Sequence, residues 1–326
     1  MSHLRWATLG TGVIANELAQ ALAKDGRKLY AVANRTYEKG LTFAAKYGID
    51  KVYSEIDQVF EDPEVDVIYI STPHNTHIDY LRKALRSGKH VLCEKAITLN
   101  AEELEEAVAL AEEKGLVLAE AMTIFHMPIY KKLTSYLAEG HLGAVQMLQV
   151  NFGSYKAYDM TNRFFSRDLA GGALLDIGVY ALSFTSLFMD IEDASLQSQV
   201  QLAPTGVDER AGILLANQQG QIATITLSLH AKQAKRATVI CDKGYVEVFD
   251  YPRGQEARIV FAEDGREEII QAGDTSLALS YEVKDMEAAI AGSFDMNLTS
   301  SRKVMGVMTR LRQDWGLRYP EEEESC

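Results

Sequence analysis

Three side chains from two distant stretches of this 326-residue chain could together move a proton: Lys95, Asp176 and Tyr180. Lys95 ends a Cys93-Glu94-Lys95 turn after the apolar run His90–Cys93. A lysine at a strand end becomes a proton donor when partial burial lowers its pKa toward neutrality. Asp176 lies on an otherwise apolar stretch opened by Gly171-Gly172, with Tyr180 one helical turn later on the same face. A buried carboxylate is costly unless something cationic or hydrogen-bonding faces it, and Lys95 is the best candidate. A free phenol titrates at about 10, so an ammonium close by is what would let Tyr180 exchange a proton. Asp176 would then hold a substrate hydroxyl or orient Lys95.

The N-terminus suggests what this proton chemistry accompanies. Leu4–Leu9 reads as a short buried strand and runs into Gly10-Thr11-Gly12-Val13-Ile14-Ala15, a GxGxxA turn that opens the amphipathic run Ile14–Ala23. The first glycine permits the tight turn, the second lets a pyrophosphate approach the backbone, and the free N–H groups of the helix start carry partial positive charge. A dinucleotide is expected there. NAD would call for an acid at the end of the next strand, Leu29–Ala33, to hold a ribose 2′-hydroxyl. The chain has Asn34-Arg35 instead, with no acid until Glu38. Arginine suits a 2′-phosphate through charge-assisted bonds, so NADP(H) is favoured and NAD(H) stays possible.

Two loops are expected to line the same crevice: Ser71-Thr72-Pro73-His74-Asn75-Thr76-His77, after the strand Val65–Ser71, and Glu94-Lys95. His74 and His77 lack a third ligand at a supporting spacing, so no metal is expected. One histidine would cap a helix and the other would pack on the cofactor. Arg163, Phe164 and Phe165, just before the glycine pair, could line a substrate pocket, although Arg163 could equally pair with a surface carboxylate.

The elements that must carry these residues are legible as a pattern. Up to about residue 121, strands (also His90–Cys93 and Leu116–Ala119) alternate with helices at Ile14–Lys24, Tyr37–Tyr47, Ile56–Glu61, His77–Ser87 and Ala101–Lys114. That alternation predicts an α/β fold, a Rossmann-type doubly wound parallel sheet over residues 1–121. Asn100 and Gly115 read as the caps of its last helix. Residues 122–326 change rhythm: helix Ile129–Glu139, strand Val145–Phe152, the apolar helix from Ala173, then Glu192–Val200, Arg210–Ala216, Ile222–Leu229, Arg236–Cys241, Tyr245–Phe249 and Arg258–Phe261 as strands. This predicts an α+β domain with a large, open, mostly antiparallel sheet whose free face invites a homodimer or homotetramer. Tyr281–Ala291 and Ser301–Trp315 close the chain as helices, the one at about 301–316 packing back on the first domain.

Composition excludes several classes. The net charge of −13 argues against nucleic acid as a partner, since phosphate backbones are held by clustered Lys and Arg. Cys93, Cys241 and Cys326 form neither a disulfide framework nor a zinc cluster, which suits a reducing cytoplasm. No signal peptide is evident. Ala173–Met189 approaches the length of a membrane span but contains Asp176 and lacks basic flanks, so a buried helix is expected and no membrane. The acidic tail Glu321–Glu324 reads as a frayed, solvated end.

The set GTGVIA, STPHNTH, CEK and GGALLDIGVY, in this order, resembles the Gfo/Idh/MocA oxidoreductases and, within them, the dimeric dihydrodiol dehydrogenase-like branch, over nearly the whole chain. The resemblance implies a Rossmann domain followed by an open-sheet substrate and oligomerisation domain. It implies that Lys95, matching the lysine of an EKP motif, assists proton transfer, and that Asp176 and Tyr180 match the D-x-G-x-H/Y pattern. Ala96 stands where that motif has proline, which is expected to loosen the backbone after Lys95. Tyrosine at 180, where many relatives have histidine, is the residue of the dihydrodiol branch. The activity implied is hydride transfer between a nicotinamide and a carbinol or carbonyl carbon of a sugar, polyol or trans-diol. Two other classes fit the same fold: a glycoside hydrolase that retains NAD, and a non-catalytic NADP(H)-responsive binding protein. The second would need the glycine turn but no proton-transfer set.

Overall fold

Near-continuous apolar runs such as Trp6–Leu9 and Val67–Ile70 are fully buried, which a parallel sheet covered on both faces allows. The computed structural model describes residues 4–323; Glu324 and Cys326, named above, lie outside them. Its first eleven main elements are β1 (Trp6–Leu9), α1 (Val13–Lys24), β2 (Ala31–Ala33), α2 (Tyr37–Tyr47), β3 (Lys51–Tyr53), α3 (Gln58–Glu61), β4 (Val67–Ile70), α4 (His77–Arg86), β5 (His90–Glu94), α5 (Ala101–Lys114) and β6 (Leu118–Ala121). The strands pair in parallel in the order β3-β2-β1-β4-β5-β6. The order reverses between β1 and β4, the switch point where such sheets bind ligands. Register matters here: Leu9 is level with Ala33 and with Ile70, and Ile70 with Cys93. Gly10, Asn34, Ser71 and Glu94 therefore follow those residues at one end of the sheet. β3 was not foreseen, because three residues opened by a lysine show no alternation.

The caps of α5 are those expected. Asn100 Oδ1 accepts from Glu103 N at 2.9 Å, and Gly115 takes φ 63°.

The next elements form a second sheet: α6 (Thr123–His126), α7 (Pro128–Ala138), β7 (Val145–Gly153), a π turn over Leu174–Gly178 running into α8 (Val179–Ser186), β8 (Ser195–Leu202), β9 (Asp208–Ala216), β10 (Ile222–Ser228), β11 (Gln233–Cys241), β12 (Gly244–Phe249), β13 (Glu256–Phe261) and β14 (Glu267–Gln271). Their order is β14-β13-β12-β11-β7-β10-β9-β8, with β7–β10 paired in parallel and the other neighbours antiparallel. Alternation puts Ile213, Leu215, Ile225, Val239 and Val248 in the core. Leu214, Phe249 and Ile269 remain exposed. β14, an edge strand opened by Glu267-Glu268, also escaped the sequence reading because charge at an edge masks the apolar period. Arg167–Ser186 is long and apolar enough to cross a membrane by length and composition, yet 83% of its apolar window is buried inside the protein.

Three helices close the described chain: α9 (Ala278–Ile290), α10 (Leu298–Asp314) and α11 (Pro320–Glu323). The chain divides into two compact units. One runs to Met122 and also takes Leu279–Leu298; the other comprises Thr123–Ala278 and the chain from Thr299. This corrects the expected continuous boundary at 121/122. It is α9, not the helix at about 301–316, that joins the first unit. Glu287 explains why: it accepts from Trp6 Nε1 at 2.9 Å and from Arg27 at 2.5 Å. The acidic tail is corrected too. Glu322 pairs with Arg312, which is 3% exposed, and Glu323 pairs with Arg167. A buried guanidinium needs a carboxylate, so the described part of the tail is held at Glu322 and Glu323 rather than frayed.

Candidate active site

The glycine turn has the form a diphosphate requires. Gly10 sits at φ 108°, and a Cβ there would come within 2.8 Å of Ser71 Oγ and 2.9 Å of Ser71 O, so the turn can lie this close to β4 only as glycine. At Gly12 a Cβ would meet nothing within 4 Å. No side chain caps the N-terminus of α1, no acid lies in its first turn, and Val13 is 80% exposed. The helix start thus offers its N–H groups to open space, which fits a pyrophosphate. Asn16, which the sequence reading passed over, ties the turn by donating Nδ2 to Gly12 O at 2.8 Å. Thr11 Oγ1 donates to Asn34 Oδ1 at 3.2 Å, joining the turn to the end of β2.

Beyond Asn34, Arg35 is exposed and lines a pocket of about 280 Å³ with Ser54, Glu55, Asp57, Tyr80 and Lys83. Lys83 Nζ lies 2.6 Å from Asp57 Oδ1 across its rim. Tyr80 and Lys83 are the residues that sequence reasoning missed here. Their only signal was their place on the first turns of α4, after the polar loop.

That loop clamps the segment of Lys95. His74 Nε2 lies 3.1 Å from Lys95 O, and His77 Nδ1 lies 3.0 Å from Ala96 O. His77 Nε2 is 2.9 Å from Thr72 O, so each ring nitrogen faces a carbonyl, and the neutral ring donates to one of the two. Burial pushes the His77 imidazole down in pKa, against the pull of the carbonyls around it. With no exposed surface, His77 does not pack on a cofactor; its role is to brace two loops. Ala96 is fully buried, and Ile97 N donates to Glu120 Oε1 at 3.1 Å, so the backbone after Lys95 is pinned rather than loosened. The Lys95–Ala96 bond is cis. Tyr69 OH donates to Glu94. Cys93, two residues before Lys95, is wholly buried, and its thiol is pushed well up by burial and by Glu94 and Glu120.

In the second unit the Gly171-Gly172 pair opens the π turn that carries Asp176, and α8 follows with Tyr180. π turns recur at functional sites. A Cβ at Gly171 would lie 2.6 Å from Arg163 O, and one at Gly172, which sits at φ 121°, would overlap Asp208 Oδ1. Within this unit Arg163 faces Asp176, Nη2 to Oδ1 3.8 Å. Lys95, the partner expected from sequence, belongs to the other unit. Arg163 also lies over the Phe164 ring at 4.2 Å, and Lys156 over the same ring at 4.0 Å. Tyr180 packs against Phe152 with ring centroids 5.9 Å apart, and Lys235 lies over Phe152 at 5.1 Å. Lys235 thus puts a cation on the ring beside Tyr180.

Phe165 has no exposed surface and packs under Tyr158 at 5.4 Å, so it supports a wall rather than forming one. The exposed surface there belongs to Tyr155, Tyr158 and His230. His230 lies 6.1 Å from Tyr155 in a stacked pair and 4.4 Å from Tyr158. Two loops separated by about seventy residues meet through Ser154 N to Ser228 O and Lys156 N to Leu229 O.

A dinucleotide cradle on a switch-point Rossmann sheet, followed by an open-sheet unit, defines a nicotinamide-dependent oxidoreductase. Residues 4–122 match the oxidoreductase family with an NAD-binding Rossmann fold, and residues 130–247 match the GFO/IDH/MocA C-terminal domain. The chain belongs to the Gfo/Idh/MocA family and is an NAD(P)-dependent oxidoreductase. It is 30% identical over 334 residues to the human trans-1,2-dihydrobenzene-1,2-diol dehydrogenase, covering 98% of this chain and 99% of that one. The enzyme of the same name from Xenopus tropicalis is 27% identical over 332 residues, 97% and 99% of the two chains. Among solved structures, a 3-ketoreductase from Actinomadura kijaniata in complex with NADP and TDP-benzene has a TM-score of 0.85 at 23% identity, over 95% of this chain and 97% of that one. Variants of that ketoreductase with tyrosine changed to phenylalanine and lysine changed to alanine match as well. A levoglucosan dehydrogenase in complex with NADH and levoglucosan has a TM-score of 0.87 at 18% identity, over 96% and 97%.

Proposed function

We propose that the protein is an NADP(H)-dependent oxidoreductase acting on a carbinol or carbonyl carbon of a sugar, polyol or trans-diol, with Tyr180 and Lys95 handling the proton. The observation that carries this reading is the contiguity of cradle and lysine within one unit: Gly10 lies against Ser71, and the loop that Ser71 opens holds Lys95 by its carbonyl. The bare start of α1 would hold the diphosphate, and Arg35, with Lys83 beside it, a 2′-phosphate. The nicotinamide, when bound, supplies or accepts the hydride. Tyr180 exchanges the proton of the substrate hydroxyl, and the Lys95 ammonium favours the phenolate. Asp176, paired with Arg163, orients a second hydroxyl. Phe164 and Tyr158 offer flat apolar surface to a ring.

The exposed row of Leu214, Phe249 and Ile269 on the open sheet supports a homodimer or homotetramer through that face. A reducing cytoplasm suits the two described thiols, Cys93 and Cys241. A small molecule, rather than nucleic acid, is the partner suited to a net charge of −13.

The test is turnover of NADPH or NADP with a panel of sugars, polyols and diols, in the wild type and in Tyr180→Phe and Lys95→Met. Each variant is expected to lose about 10²–10⁴-fold in kcat, the usual worth of positioned acid–base help, while binding NADPH normally. Full turnover in either variant would refute the proton assignment. Flat absorbance with every compound would refute the activity.

A further inference from the structure

A carboxylate that no motif predicted sits directly behind the helix of Asp176 and Tyr180. Asp208, the first residue of β9, has no exposed surface. Its Oδ2 accepts from Leu174 N at 2.6 Å, and the N–H groups of Ala173 and of Asp208 itself also face the carboxylate. Leu174 opens the π turn, so this is the N-terminal end of the helix that displays both candidate catalytic groups. Oδ1 has no hydrogen-bond partner among the described residues, and it fills the place that a Cβ at Gly172 would take. The glycine pair is therefore explained by Asp208: only a backbone without a side chain admits the carboxylate this close.

The same pocket is closed from behind by the end of the chain. Tyr319 OH donates to Gly171 O at 2.7 Å. Arg312, almost completely buried, forms a two-pronged pair with Glu322 at 2.8 and 2.7 Å and lies over the Tyr319 ring at 4.8 Å. Tyr319 N donates to Glu322 Oε2 at 2.9 Å, which closes the loop of contacts.

We propose that Asp208 is a positioning residue that sets the placement of Asp176 and Tyr180 by accepting hydrogen bonds from the first turn of their helix, with Arg312, Tyr319 and Glu322 as its backing. The proposal rests on the reading of Tyr180 and Asp176 given above, and it adds a residue that touches neither substrate nor cofactor. Three lines converge on it. The hydrogen bond is made at the end of the helix where N–H groups lack partners of their own. The carboxylate is wholly enclosed, so its contacts are not diluted by water. The glycine at 172 makes room for it, since a Cβ there would overlap its Oδ1.

Ionisation gives the arrangement a signature. The groups facing Asp208 are the N–H groups of residues 173 and 174, Arg312 from α10, Tyr319 after it, Glu322 of α11 through Arg312, and Glu209 next on β9, which itself faces Tyr158 and Arg210. Burial outweighs the donors and pushes the carboxyl up to about 7. Burial favours the neutral carboxyl, so the hold on the helix start is firmer below neutrality and loosens as pH rises through about 7.

The experiment compares wild type, Asp208→Asn and Asp208→Ala by amide hydrogen exchange and by turnover against pH. In Asp208→Ala, amides 173–180 are expected to exchange at least about 10-fold faster while β11 and β12 keep wild-type protection. Misplacement of this helix is expected to lower kcat by about 100-fold with the NADPH Kd unchanged. Wild-type kcat is expected to fall as pH rises through about 7; Asp208→Asn keeps an acceptor, restores both readouts and lacks that limb. The proposal fails if Asp208→Ala leaves amides 173–180 protected, if Asp208→Asn is as impaired as Asp208→Ala, or if the neutral limb persists in Asp208→Asn. Should Asp208→Ala not fold, Tyr319→Phe takes its place: it must speed exchange at 171–175, and wild-type protection there overturns the proposal. If no compound in the panel is turned over, the proposed activity falls while the exchange comparison still decides the role of Asp208.

Discussion

The cofactor end of the first unit and the catalytic helix of the second are held in place by opposite means. Around the glycine turn, the fixing contacts span 4 to 23 residues and are made by polar side chains, two of them on backbone carbonyls: Asn16 to Gly12, Thr11 to Asn34, His74 to Lys95. Around Asp176 and Tyr180, they come from far away and from buried ionisable groups. Asp208 reaches Leu174 across 34 residues and Tyr319 reaches Gly171 across 148. The first design offers a ligand unsatisfied N–H groups at low cost, because water can serve them when the ligand is absent. The second fixes a helix against an interior network, where a missing partner is expensive. Damage to the first should therefore impair binding and spare the fold; damage to the second should do the reverse.

The largest effect tests the second half of this contrast. Arg312→Met leaves the carboxylates of Glu322 and Asp208 without their cation, and breaking a buried pair in this way typically costs about 3–5 kcal/mol. A clear fall in melting temperature is expected; an unchanged one would show that the network holds nothing. Next comes the dependence on pH. The Asp208 carboxyl is raised from 3.8 to about 7 in the folded protein. Its protonated form therefore favours folding: that contribution is full below about pH 4 and is lost as pH rises through about 7, by roughly 4 kcal/mol in all. Asp208→Asn cannot ionise, so its melting temperature is expected to fall less than that of wild type between about pH 5 and about pH 8.

At the cofactor end, the expected changes are in binding. Arg35→Ser removes the charge beside the 280 Å³ pocket. With hydrogen bonds to charged groups worth about 1.5–3 kcal/mol, NADP affinity should drop about 10- to 100-fold while NAD affinity and melting temperature hold. Titration with both cofactors checks this; equal losses for the two would remove Arg35 as the selector. The smallest effect is a control on pure scaffold. Asn100→Ala deletes the cap of α5, which should cost about 1 kcal/mol of stability and leave cofactor binding and kcat untouched.

The same difference in contact range governs what could be read from the chain. GxGxxA, Asn34-Arg35 and the two strand-end loops were legible because strand, turn and helix follow one another within a few residues. Both domains' sheets were legible as rhythm, down to the limits of α2 and α5. β3 and β14 were too short or too charged to show a period. Asp176 and Tyr180 were visible as polar residues on an apolar helix, but their surroundings were not. Nothing in a linear reading connects Asp208 or Tyr319 to Gly171-Gly172, or Lys235 to Phe152, because those neighbours are chosen by packing. The pairing of Asp176 with Arg163 over thirteen residues lay between these extremes: both residues had been noted, their pairing had not. The return of α9 to the first unit likewise depends on Glu287 meeting Trp6 and Arg27, a contact no periodicity announces.

Cys93 has a practical consequence. Its sulfur sits at the very strand end from which Lys95 projects, sealed from solvent and disinclined to ionise. Alkylating reagents attack thiolates, so modification must wait for β5 to come away from its neighbours. The native chain thus contains its own stopwatch for unfastening of the cofactor end: the rate at which iodoacetamide captures this thiol, slowed by any nucleotide that braces the loops on either side.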